Sequence, residues 1–246
     1  MIARLIMVEH IKMKRTYIWL MLLTGTSVGC GLGLFLYLAN LKAFATTSNQ
    51  FLALWGEFNL FSSQIFVPLF LAIIIGINVQ VEKSNRMLNR LRMMSIKPSA
   101  IFFGKLTYIS LLQLIIQVIA IAIYLIVGNA LDLKGSVDIV TLLTWGFLGW
   151  LGSLGIIAIQ IAIALITNSL TENLLINFGL VIGGFIVALI SSEMTFFYPF
   201  SQIMIGLHAR NANHFTSLNT IIFGFVIVFG ILIGWKIFTR AFNKRQ

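Results

Sequence analysis

Six apolar runs, each close to the length of a bilayer crossing and separated by short polar or basic stretches, leave this 246-residue chain very few ways to fold. A helix rises about 1.5 Å per residue and the hydrocarbon core is about 30 Å thick, so roughly 20 apolar residues make one crossing. The runs cover residues 17–38, 60–79, 101–127, 139–166, 174–190 and 220–238. In lipid, backbone N–H and C=O groups find no water, so each run must satisfy its own hydrogen bonds as a helix. The composition agrees: 59% apolar residues, 10% charged residues and a mean hydropathy of +0.99 leave too little polar surface for a water-soluble globule. The expected fold is therefore all-α and polytopic, with six transmembrane helices in one domain spanning 1–246. The fourth run is long enough to tilt. The fifth barely spans, and the segment after it is expected to complete the crossing.

The formal net charge of +10 raises the question of nucleic acid. The basic residues, however, form short clusters between apolar runs instead of one solvated face, which argues against that partner. They report orientation instead. Arg4, Lys12, Lys14 and Arg15 precede the first run; Lys83, Arg86, Arg90, Arg92, Lys97 and Lys105 follow the second; Lys236, Arg240, Lys244 and Arg245 follow the start of the last. Six crossings put these three regions on one side and leave only Lys42, Lys134 and Arg210 opposite, so both termini are expected in the cytoplasm of a bacterial cell. A cleavable signal peptide competes for the first run, because Ala43-Phe44-Ala45 resembles a cleavage site. The apolar stretch of about 22 residues exceeds the usual 7 to 15 and favours a retained helix. Cys30 lies alone within that run and is read as packing.

Helices in lipid associate where small residues let backbones approach, and Gly25, Gly29 and Gly33 recur at four-residue spacing in the first run. Gly179 with Gly183, and Gly230 with Gly234, repeat the spacing, while Gly146, Gly149, Gly152 and Gly155 recur every third residue. Such stripes serve packing within one subunit or pairing between subunits. Pro68 removes a backbone donor inside the second run and is expected to kink it, which suits a hinge.

The loop after the second run reads as a short amphipathic helix over 82–97. Met87, Leu88, Leu91 and Met94 share one face, Arg86 and Arg90 lie off it, Glu82 stands at the membrane exit, and Pro98 stops the segment. Basic residues on lipid headgroups would explain the residue types equally well; the length and the methionine-rich face favour docking into a partner. Residues 1–16 form a poorer amphipathic helix, in which Glu9 interrupts Ile2, Leu5, Ile6 and Met13.

No GxxxxGK[ST] loop occurs, so no ATP site is expected in this chain. Gly152-Ser153-Leu154-Gly155 lacks a companion base, since His10, His208 and His214 all fall outside the runs. Two histidines without an acidic or cysteine neighbour do not make a metal site. No catalytic, cofactor or metal residue is therefore expected. Polar residues within the runs are few. Gln64, Asn78, Gln113 and Gln117 are candidates for a substrate path, with interhelical hydrogen bonding as the plainer role. Glu57, Asp132, Asp138 and Glu193 fall near the outer ends.

The stretch Gly76-Ile77-Asn78-Val79-Gln80-Val81-Glu82, the basic segment after it, Ile96-Lys97-Pro98-Ser99 and Gly104-Lys105-Leu106 together resemble the ABC-2 type permeases, and among them the lantibiotic-immunity permeases. The resemblance implies that 82–97 is the element fitting a groove on a separate ABC ATPase, itself a homodimer that binds ATP and Mg. It also implies a second, non-identical permease and an amphipathic peptide cargo expelled from the cell membrane to confer self-immunity. The segment 191–218 corresponds to an external connector, and its apolar residues suggest partial re-entry into the outer leaflet. Export of another hydrophobic cargo, a lipid or a drug, is the alternative within transport. A membrane scaffold or sensor subunit is the alternative outside it.

Overall fold

The computed structural model describes residues 2–13, 17–45, 47–84, 90–91, 93, 96–209 and 215–244. Among them are only helices and the turns that join them: α1 (Ile2–Met13), α2 (Ile18–Ala39), α3 (Leu41–Phe44), α4 (Gln50–Phe61), a π turn (Ser62–Phe66), α5 (Val67–Ser84), α6 (Pro98–Ala130), α7 (Ile139–Ile166), α8 (Leu170–Ile190), α9 (Ser192–Phe197), a 3-10 turn (Pro199–Ser201), α10 (Gln202–Gly206) and α11 (Ser217–Lys244). Six continuous helical stretches are long and apolar enough to cross a membrane.

Several helical limits differ from the apolar runs, and three of the helices show a clear local reason. The second crossing is a 35-residue stretch, Gln50–Ser84, made of α4, the π turn and α5. Glu57, Asn59 and Ser62 dilute its apolar signal, but the helix has a firm start. The Asn49 side chain accepts from the Leu52 amide (3.1 Å), and Gln50 exchanges backbone and side-chain hydrogen bonds with Lys134 at 2.9 Å each. α6 runs for 33 residues because Pro98 occupies its first turn, where no donor is needed. α8 starts at Leu170 because Ser169 accepts from the Glu172 amide (3.1 Å) while Glu172 reaches back to the Asn168 amide (2.7 Å). Its 21 residues cover about 32 Å, long enough for one crossing without the segment that follows.

α7 is the central helix, with 67% of its most apolar stretch buried against 28% for α8. Its glycines are the reason. A Cβ at Gly149 would strike the Leu207 side chain, one at Gly152 the backbone of Gln202, and one at Gly155 would touch the backbone of Ile227. Gly234 of α11 abuts the Ala158 carbonyl from the other side. The stripe thus seats both α11 and the segment before it. Gly25, Gly29 and Gly33 of α2 are likewise used within the chain, against the Phe70 ring, the Ser62 backbone and the Glu57 carbonyl. Gly183 meets the Tyr198 hydroxyl, whereas nothing lies within 4 Å of a Cβ at Gly179.

The connector between α8 and α11 is apolar because it folds back into the bundle. Ser201, Ile203, Met204 and Leu207 are buried, the Tyr198 hydroxyl donates to Leu180 O (2.8 Å), and Trp55 Nε1 donates to Leu207 O (2.8 Å).

Candidate functional site

The final turns of α5 carry Asn78 and Glu82 four residues apart, hence on one face of the helix. Facing them is Lys105, two turns into α6, and beside both lies α1 with Glu9 and Lys12. The Lys105 ammonium donates to Glu82 Oε1 (2.6 Å), Asn78 Oδ1 (2.6 Å) and Glu9 Oε1 (3.1 Å), using all three of its donors. Lys12 donates to Glu9 Oε1 (2.7 Å) and Glu82 Oε1 (2.5 Å), and Asn78 Nδ2 donates to Glu9 Oε2 (2.9 Å). Two carboxylates and two ammonium groups cancel, so the cluster is neutral while its core is dry: the Lys105 and Glu82 side chains are each 1% exposed.

Burial alone would raise the Glu9 pKa. The ammonium groups of Lys105 and Lys12, with hydrogen bonds from Lys12 and Asn78, overcome that and lower it from 4.5 to about 2. The carboxylate is therefore ionised and holds α1 against α5 and α6. Leu5 seats beside Gly104, and Met13 is buried, so α1 turns one face inward while Met7, Val8 and Ile11 point out. Glu9 does not interrupt the inward face, as the residue pattern suggested. It occupies that face, and its charge is what the lysines bind.

On the other flank of α5, Lys83 donates to Ala164 O (2.8 Å) and to Thr167 O, capping the free carbonyls at the end of α7. Asn173 of α8 donates to Ala72 O (3.2 Å), an accessory bond to the α5 backbone. The base of the loop that follows Ser84 is thus bonded directly to α1, α6 and α7, and about three turns further back α5 is bonded to α8.

Glu82, placed by the sequence at the membrane exit as part of the coupling segment, is fully buried and accepts from Lys12 and Lys105. Asn78, expected on a substrate path, is a strut of the same cluster. Of the other loop residues, Arg90 is exposed and Met93 is 77% exposed, whereas Leu91 is half-buried against the core. Arg86, Met87, Leu88 and Met94 lie outside the described residues. Glu9, Lys12 and Lys105 escaped the sequence reading as site residues, although a lysine well inside an apolar helix is a signal for a buried acidic partner.

Gln64 lies about 21 Å from Asn78 along the helix axis. Gln64, Gln113 and Gln117 are all buried, and none lines the laterally open apolar groove of about 140 Å³ between α2 and α6, whose walls include Leu23, Cys30, Ile116 and Ile123. Pro68 is the second residue after the π turn. The Val67 amide bonds to Ser62 O in the wider π ring, and Gln160 Nε2 donates to Pro68 O (2.8 Å). Both side-chain amide atoms of Gln64, at the centre of that turn, lack a hydrogen-bond partner among the described residues.

Comparison with known proteins adds one finding. A family profile described as "ABC-2 family transporter protein" matches residues 5–184, which include every member of the ion cluster. No match was found among curated proteins or among solved structures. With most of the chain matched and six helices fit to cross a bilayer, this multi-pass membrane protein belongs to the ABC-2 transporter family, as the permease component and not the ATPase.

Proposed function

We propose that the chain serves an ATP-driven exporter that expels a lantibiotic or a similar amphipathic antimicrobial peptide from a bacterial cell membrane, giving the cell self-immunity. Family membership implies an ABC ATPase partner. In our reading that partner is a homodimer carrying ATP and Mg, and a second, non-identical permease completes the assembly. The basic side of the bundle, with both termini and the 85–97 loop, faces the cytoplasm.

The observation that carries the reading is the way the base of that loop is bonded to its neighbours. A push delivered to the loop by the ATPase reaches α5 at Ser84 and passes to α6 through Lys105, to α1 through Glu9 and Lys12, and to α7 through Lys83. The π turn beside Pro68 supplies a point where α4 and α5 bend relative to one another. An amphipathic peptide already concentrated in the bilayer needs a lateral entrance more than a polar midplane site. The apolar groove between α2 and α6 suits such an entrance, and equally suits a lipid or drug as the alternative cargo.

The test compares cells carrying the full transporter with cells lacking the partner ATPase, and with cells carrying Lys105→Met. Loss of peptide resistance in both, with the Lys105→Met chain still co-purifying with the ATPase, is expected. Full resistance without the ATPase would refute the reading.

A further inference from the structure

At the end of the bundle opposite the ion cluster, α4 and the turn at 207–209 border an open pocket of about 330 Å³, at the small end of the range for ligand pockets. Leu52, Ala53, Gly56, Glu57 and Leu60 recur at helical spacing and line it from α4. Phe44, Trp55 and His208 add aromatic walls. These walls are held firmly. Trp55 is tied to Leu207 O, His208 is stacked on Trp145 (5.0 Å) and Phe215 (4.4 Å), and Phe44 is stacked on Tyr37 (5.0 Å). Glu57 is the one acidic residue of the lining, about 10 Å along the helix from its start, and no cationic side chain among the described residues pairs with it.

An anionic group set among otherwise apolar walls attracts an organic cation, and the apolar remainder accepts its hydrocarbon. We propose that this pocket binds the ammonium group of a small amphipathic cation, with Glu57 as the counter-charge. The inference goes beyond the exporter reading and does not need it, because the test measures binding without ATP.

The full-length protein, purified in an uncharged maltoside detergent, is titrated with hexyltrimethylammonium and with its uncharged carbon isostere. The cation is expected to bind at least about tenfold more tightly than the isostere. Glu57→Gln should abolish that preference and Glu57→Asp should retain most of it. Equal binding of the two probes by the unaltered protein would overturn the proposal, and needs no variant to fold. A preference unchanged in Glu57→Gln would overturn it too. So would cation binding that emerges only in Arg210→Ala, since Glu57 would then already be neutralised by the residue after Ala209.

Discussion

The two ends of this bundle are joined by different forces. At the basic end, α1, α5 and α6 meet through ammonium and carboxylate groups, and at the other end the connector, α4, α7 and α11 meet through glycine-backbone contacts and stacked rings. Ion pairs in a dry setting are directional and costly to break one partner at a time, yet they can be re-formed after a shift of a few ångströms. Backbone packed on backbone has no second arrangement of similar energy. The exporter proposed above, pushed at one end and holding its shape at the other, has a use for both.

The contrast can be broken most forcefully at Lys105. Lys105→Met leaves the buried Glu9 and Glu82 carboxylates with only Lys12 between them, and is expected to cost about 3–5 kcal/mol in a detergent unfolding assay. Adding Glu82→Gln to that variant should recover part of the loss, because one uncompensated charge disappears. If Lys105→Met unfolds like the unaltered protein, the cluster is not a structural joint.

The glycine-packed end is probed by a matched pair. Gly152→Leu drives a side chain into the Gln202 backbone and should destabilise by about 1–3 kcal/mol or prevent assembly. Gly179→Leu meets nothing within 4 Å in this chain and should stay within about 0.5 kcal/mol of the unaltered protein. A large loss at Gly179 in isolated chains would mean that glycine spacing, and not the contact made, governs packing.

A smaller effect sharpens the charged side of the comparison. Glu9 has its pKa lowered from 4.5 to about 2, so its contribution to the docking of α1 is complete above 4.5 and fades as the pH falls toward 2. Melting temperature should decline over that window, and Glu9→Gln should flatten the decline while lowering stability at neutral pH. An unchanged slope in Glu9→Gln would place the acid sensitivity elsewhere.

Much of the fold was legible before any coordinates. The apolar runs located all six crossings, since a 30 Å hydrocarbon core imposes a length that no other feature of the chain can mimic. The polar interruptions Glu57 and Asn59 hid the first turns of the second crossing, because hydropathy averages over a window while a helix start depends on single caps such as Asn49. Less of the site was legible. Asn78, Glu82 and Lys105 all lie in the segments that carry the family resemblance, but Glu82 was read as part of the coupling segment at the membrane exit, Lys105 as loop charge and Glu9 as a flaw in an amphipathic face. Each assignment judged a charge by its neighbours in sequence, whereas burial is decided by neighbours in space.

What the residues alone determined is the solvent: a chain this apolar, with its basic residues gathered between crossings, is a polytopic helical protein, because the transfer cost of each segment is a sum over its own side chains. What only the tertiary structure decided is which polar groups meet. Glu9, Asn78, Glu82 and Lys105 come from three helices, and their pairing depends on how those helices pack together. A sum over one segment cannot contain that information.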